Sequence, residues 1–296
     1  MADLVPSLIE STRRHLMGQH QPQMNRLATA VSSDTQDTIT FEFAVEGVSP
    51  GSIIAINDEL MYVWSRDKGS LQAIVQRGVL GTTAAASHAL GSLIEVNPRF
   101  PTFIIRDELK REIRSWHPRL YAVVTKELTV EVHKRAVDLD SVPADFFHIL
   151  EILRQPRATR DSWYRVRGRA EHNLNTADFP SGSALFLDDP VEISTRIRVT
   201  YARPFDLSSF DDSTDLVTDV LLAPEHFDIA SYGAAWRLVS TREIKRTDTD
   251  AQGEPRDAQE VPPGHILQTA RQLKALRDER IAEENRLLVH RWGVRK

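Results

Sequence analysis

Apolar residues near the start of the chain recur at helical spacing. Leu4, Leu8 and Leu16 stand at multiples of four beside Ile9, with Arg13, Arg14 and His15 on the other side. That pattern predicts a short amphipathic helix over 3–17, followed from Gln19 to Gln23 by a Gln-rich loop or frayed helix. From about residue 37 the period drops to two. Thr38-Ile39-Thr40-Phe41-Glu42-Phe43-Ala44 alternates polar and apolar, and apolar runs follow at 53–56, 60–64, 71–75 and 93–96. Asn57-Asp58 and Asp67-Lys68-Gly69 supply turns between them. Short strands spaced by turn residues predict a small antiparallel barrel or sandwich.

Helical spacing returns after Pro98 and Pro101. Thr102 is a candidate N-cap, Ile105, Leu109, Ile113 and Trp116 share one face, Arg106, Lys110 and Arg114 lie opposite, and Pro118 ends the segment. Over 119–205 alternation resumes in runs around 128–132, 146–153, 163–170, 184–187 and 193–201, the signature expected of a β-sandwich. A run containing Asp206, Asp211, Asp212, Asp215 and Asp219 reads as a solvated, mobile linker. Pro224 then opens a helix to about Thr241, with Ile229, Trp236 and Val239 on one side. A polar loop runs from Thr247 to Gly264, and a last helix covers 266–292. The expected fold class is therefore α+β, a small antiparallel β-barrel module and a β-sandwich with N-terminal and C-terminal helices. The expected divisions are a helical segment at 1–36, the β-module at 37–101, a connecting helix at 102–118, the sandwich at 119–205 and the acidic linker with C-terminal helices at 206–296.

The 296 residues and ordinary apolar content suit two or three globular units. No cysteine is present, which excludes disulfides, thiolate nucleophiles and cysteine-based zinc sites. No apolar run approaches the length of a membrane span, and the start lacks the layout of a signal peptide, so no membrane partner is expected. The net charge of −5 conceals a split. From Arg271 to Lys296 eight Lys/Arg face four Asp/Glu, a local +4 that leaves −9 for the remainder.

Candidate chemistry is sparse. The ten histidines show no i, i+4 pair and no His-Glu-x-x-His, and no nucleophile elbow or phosphate-binding glycine loop occurs. Neither a cofactor nor a metal site nor a catalytic set is expected. The aspartates of 206–219 offer oxygen ligands for Ca²⁺ without the spacing of an EF-hand. Arg165, Arg167 and Arg169 alternate along a predicted strand, so they share one face, either as anion-gripping groups or as a solvated surface. Trp116, Trp163 and Tyr164 are candidates for sugar stacking or for core packing.

One region resembles a β-module of tailed-bacteriophage virion proteins. It comprises the strand Ile56-Asn57-Asp58-Glu59-Leu60-Met61-Tyr62-Val63, the loop Arg77-Gly78-Val79-Leu80-Gly81-Thr82-Thr83-Ala84, the turn His88-Ala89-Leu90-Gly91 and the strand Ile94-Glu95-Val96. Asp228-Ile229-Ala230-Ser231-Tyr232-Gly233-Ala234-Ala235-Trp236 and Gln272-Leu273-Lys274-Ala275-Leu276 are also similar to phage structural proteins. The resemblance implies a non-enzymatic component of the head-to-tail connector (neck or adaptor) or tail, assembled in the host cytoplasm and located in the virion. Its implied partners are further copies in a homo-oligomeric ring, the portal protein and other neck or tail proteins, with DNA contact left open. The alternative is a tail, baseplate or decoration protein whose sandwich binds virion proteins or host glycan. The basic C-terminus suggests docking through Leu288, Arg291, Trp292 and Arg295, and removal of 286–296 is expected to weaken docking without unfolding the chain. Arg77 and His88 are expected to shape their loop.

Overall fold

The computed structural model, which describes residues 4–17, 23–44, 47–130, 135–140, 142–143, 145–155, 162–249 and 265–292, is α+β with antiparallel sheets, one of them curled as a half-barrel. Four α-helices occur among the described residues: α1 Val5–Met17, α2 Thr102–Arg114, α3 Phe227–Thr249 and α4 His265–Trp292. The chain divides into two compact units. One comprises Pro6–Arg111 and Ala230–Lys274; the other comprises Met1–Val5, Glu112–Ile229 and Ala275–Lys296.

The first unit is built on six antiparallel strands, β1 Gln23–Arg26, β2 Thr38–Thr40, β3 Ile53–Ile56, β4 Glu59–Asp67, β5 Gln72–Gln76 and β6 Leu93–Val96. Their order is β1-β6-β3-β4-β5-β2. Because side chains alternate across a strand, Ile54 and Ile56, Met61 and Val63, Ala73 and Val75, and Ile94 and Val96 all reach one core, with Ile39 beside them. Each such side chain contributes roughly 1.5–3 kcal/mol by leaving water. The register of β4 against β5 shifts between Val63 and Ser65, and the intervening Trp64 turns outward, 59% exposed.

Two features of this unit depart from the sequence pattern. Residues 23–26, of which only Gln23 belongs to the Gln-rich stretch read as a loop or frayed helix, are a strand paired with β6. The strand carries little apolar alternation because its one buried member is polar. The Asn25 amide donates to Phe43 O at 3.1 Å, and its oxygen accepts from Phe43 N at 3.1 Å, so the side chain substitutes for ladder bonds. Arg106, placed by helical spacing on the solvent side of α2, is 8% exposed and ion-paired to Asp58 at the β3–β4 turn. Arg13 of α1 is likewise buried, between Glu95 at 2.8 Å and Thr102 Oγ1 at 3.1 Å. The Ile105, Leu109, Ile113 and Trp116 stripe is buried as its spacing requires.

The second unit contains two antiparallel sheets. β7 Ala122–Thr129, β9 His148–Gln155, β10 Tyr164–Arg165 and β13 Arg196–Arg203 form one, in the order β10-β9-β13-β7. β8 Ala136–Asp138, β11 Gly168–His172 and β12 Ser183–Leu187 form the other, in the order β11-β12-β8. Leu128, Ile152, Ile197, Val199 and Tyr201 from the first share a core with Val137, Leu185 and Leu187 from the second. The run 163–170, whose alternation reads as one strand, is two. The chain leaves the four-stranded sheet after Arg165 and enters the three-stranded one at Gly168. A Cβ at Gly168 would lie 2.5 Å from Phe186 O and 3.2 Å from Ile152 Cδ1, so only glycine fits the crossing.

The acidic segment is not a mobile linker. Leu207, Phe210, Leu216, Val220 and Leu222 are buried, and the aspartates bond backbone groups two or three residues ahead. Asp206 accepts from Ser208 N at 3.1 Å, Asp211 from Ser213 N at 2.9 Å, and Asp215 from Val217 N at 2.8 Å. These bonds, with those from the Ser208, Ser213 and Thr218 hydroxyls, hold all three carboxyls below the usual aspartate range. Sequence content alone shows the charge and not the buried apolar residues interleaved with it. The helix expected to end near Thr241 continues to Thr249, and the rest of the expected polar loop, 250–264, lies outside the described residues.

Glu112, fully buried, orders the second unit's helical part. Its Oε1 accepts from the Trp116 indole at 2.8 Å and from Arg277 Nε at 2.5 Å, while Arg277 Nη2 donates to Ser115 Oγ at 3.0 Å. Asn285 Nδ2 adds a bond to Arg119 O at 2.7 Å.

Candidate functional site

The β3–β4 turn and the loop after β5 are joined by one buried polar cluster. Asn57 takes φ +52° to reverse the chain, which delivers Glu59 to the interior at the first position of β4. The Glu59 side chain is 1% exposed. Its Oε1 accepts from Arg77 Nε at 2.5 Å and Gly78 N at 3.1 Å, and its Oε2 from Arg77 Nη2 at 2.7 Å and Ala85 N at 3.0 Å. His88, also buried, completes the set through Nε2 at 2.8 Å. With that N–H donating, His88 Nδ1 is left to accept from Asn57 Nδ2 at 3.4 Å. Burial acts to raise the Glu59 carboxyl, but bonds from Arg77, Ala85 N–H and His88 together with the Arg77 charge hold it below the usual carboxylate range.

Arg77 extends the cluster to 33–36. Its Nη1 donates to Ser33 O at 3.0 Å and Gln36 O at 3.1 Å, and Nη2 to Ala85 O at 2.8 Å. Thr82 Oγ1 accepts from Leu60 N at 3.0 Å and donates to Val79 O at 2.8 Å. Gly78 takes φ +63°, and a Cβ there would meet Ala84 N at 2.9 Å. The expectation that Arg77 and His88 shape this loop thus finds its geometry. Glu59, their common acceptor, is the member that sequence reading overlooked. Its signal was a carboxylate inside an apolar run, Leu60-Met61 on one side and Ile54-Ala55-Ile56 across the turn.

This framework carries an exposed apolar surface. Leu80, at φ +53°, is 74% exposed and Leu90 is 66% exposed, while residues 78–94 contain no Asp, Glu, Lys or Arg. The run is unusual in a chain with 27% charged residues. On the sheet itself Tyr62 and Trp64 meet edge to face at 4.9 Å between centroids, next to Ile74, which is 47% exposed.

The four residues expected to dock at the C-terminus separate. Leu288 and Trp292 pack, half-buried, against Tyr121, Leu150 and Ala202 of their own unit. Arg291 is exposed and lies over the Trp292 ring at 5.3 Å. Arg295 lies outside the described residues. Their apolar neighbours Leu287 and Val289, on the other side of α4, are 62% and 43% exposed.

Other sequence candidates also find their places. Arg165, Arg167 and Arg169 are all exposed, but they belong to two sheets and not to one strand face. Arg165 and Arg167 line an open cleft of about 670 Å³ with Glu151 and Asp188, while Arg169 pairs with Glu171 at 2.7 Å. Trp116 is 1% exposed in the core, and Trp163 is stacked by Arg198 at 4.0 Å. Among the described residues no group of three or more His, Asp or Glu is placed to hold a metal ion, and no helix is long and apolar enough to cross a membrane. The chain matches no protein-family model and no curated protein sequence.

Proposed function

We propose that the chain is a non-enzymatic structural protein of a tailed-bacteriophage virion, forming a homo-oligomeric ring at the head-to-tail junction that bridges portal and tail. In this reading the six-stranded sheet is the small barrel module of such proteins, and the two sheets that share a core are a β-sandwich.

The observation that carries the reading is the construction of residues 56–97. The residues that carry the phage resemblance, Glu59, Arg77, Gly78, Thr82 and His88, bond to one another and to the local backbone. A reactive site needs polar groups turned toward a substrate. Here those groups are turned inward and the loop presents leucines instead, the arrangement of an assembly part.

Cryo-EM of purified particles tests the proposal. Density for this chain is expected as a ring between portal and tail; density confined to the distal tail tip, or absence of the chain from particles, would overturn it.

A further inference from the structure

We propose that residues 275–292 of α4 are an arm latched onto the second unit over the uncharged ring of His226, and that mild acid frees this arm while the sheets stay folded.

The arm is held by few contacts, and most of them are polar. Among its described residues Ile281 alone is a buried apolar side chain, at 2% exposed, and Leu288 and Trp292 are half-buried. Arg277 reaches Glu112 and Ser115, and Asn285 reaches Arg119 O. Leu287 and Val289 point away from the unit. The sheets below share a core of a dozen apolar side chains. A segment so thinly anchored opens at a lower free energy than the core it rests on.

His226 lies under the middle of the arm. It ends the single helical turn Pro224–His226 and is 7% exposed. Its ring sits between Trp116 and Phe205, at 6.2 and 5.9 Å between centroids. Nδ1 is buried and has no hydrogen-bond partner among the described residues. The arm supplies the remaining wall. Glu284 Oε2 stands 4.0 Å from His226 Nε2, beyond hydrogen-bond reach, and Glu284 Oε1 accepts from Arg280 Nη2 at 3.3 Å. Arg280 also donates to Glu283 at 2.6 Å and to Glu225 O at 3.5 Å.

The charges around the ring do not welcome a proton. Glu225 lies on its own turn, Arg280 and Glu284 on the arm, and Asp228 at the start of α3 acts on Arg280. Trp116 and Phe205 bring none. Behind them Glu112 is engaged by Arg277, and Asp206 by Ser208 and Arg203. Neutral, the ring keeps its hydrogen on Nε2 and leaves Nδ1 bare. Protonated, Nδ1 carries a hydrogen that faces no acceptor, and the ring carries a charge that no carboxylate bonds. Burial disfavours that charge; Glu225 offsets part of the cost and Arg280 adds to it. Lifting the arm gives the imidazolium water and distance from Arg280, so each proton taken up favours the open arm.

Hydrogen exchange of the full-length chain, read by mass spectrometry at pH 7.5 and 5.5 and corrected for intrinsic rates, tests this. Amides of 278–292 are expected to exchange faster than those of β13 at both values, because the arm opens without the sheet. Their opening is expected to rise about tenfold between the two values, the factor set by a freed histidine with its ordinary pKa of 6.5. H226F, which keeps an aromatic ring between Trp116 and Phe205, is expected to abolish that rise, and H226Q serves if phenylalanine disturbs the fold. Exchange of 278–292 that ignores pH in the wild-type chain overturns the proposal, as does a rise that survives replacement of His226. Equal protection of the arm and β13 overturns it too, since the arm would then open only with the whole unit.

Discussion

Arg77 and Glu59 are 18 residues apart in sequence and bonded side-on at 2.5 and 2.7 Å in the interior, where every N–H of the guanidinium has an acceptor. A buried ion pair of this kind is stabilising only while it is complete. R77A leaves the carboxylate without its main partner and is expected to cost about 3–5 kcal/mol, read as a lowered midpoint in urea. Replacing both members, as in E59L/R77M, is expected to give no recovery over R77A. The backbone groups of Ser33, Gln36, Gly78 and Ala85 would then lack partners. A double variant as stable as wild type would refute the assigned role.

Stability is expected to decline with acid in two windows. His226 is buried between Trp116 and Phe205, and burial pulls its pKa below the ordinary histidine value of 6.5, with Glu225 opposing the effect and Arg280 adding to it. The unfolded chain therefore takes up a proton first, and stability falls as pH drops below 6.5. Glu59 has its pKa held below 4.5, so its contribution is intact above 4.5 and is lost as pH falls through the lower folded value. Chemical denaturation across pH should show H226F removing the first decline and E59Q reducing the second, to which Asp206, Asp211 and Asp215 also contribute.

Gly78 and Gly81 both have positive φ, but only the first is crowded. Ala at 81 meets nothing within 4 Å and carries only the left-handed backbone cost of about 1–2 kcal/mol. Ala at 78 adds a contact of 2.9 Å with Ala84 N, which must move with its loop. G78A is thus expected to be the more destabilising of the two by thermal unfolding. Equal effects would mean that the loop gives way easily and is not rigid.

Removing residues 286–296 is expected to destabilise the second unit, contrary to the reading from sequence, because Leu288 and Trp292 contribute to its packing. L288A is expected to cost about 1–2 kcal/mol, in keeping with half-burial of a leucine. R291A, at an exposed position, should change stability by less than about 0.5 kcal/mol. A docking assay on R291A therefore isolates partner binding from folding, which the truncation does not.

Strands of the first unit were legible wherever one face is apolar, as at 53–56 and 93–96, because burial imposes a period of two. β1 escaped notice since Asn25, its buried residue, satisfies backbone groups instead of filling volume. Arg106 was misplaced by helical spacing, which counts a cation as outward; Asp58, 48 residues away, draws it in. The acidic segment was read by its charge, and its turns are made by those same carboxylates. For the candidate site, Arg77 and His88 were legible through motif resemblance. Glu59 was not, since its partners come from three separated stretches that only folding brings together.

The crossing at Gly168 also accounts for the three arginines around it. β10 is the last strand of one sheet and β11 the last of the other, so a single short stretch borders both. Open sheet borders recruit strands from other molecules, and repeated cations on such a border oppose that recruitment. Arg165, Arg167 and Arg169 stand along it, all exposed. Like charge repeated along both borders turns a second strand away from exposed backbone without any covering element, so the place where the chain changes sheets is also where it is guarded against aggregation.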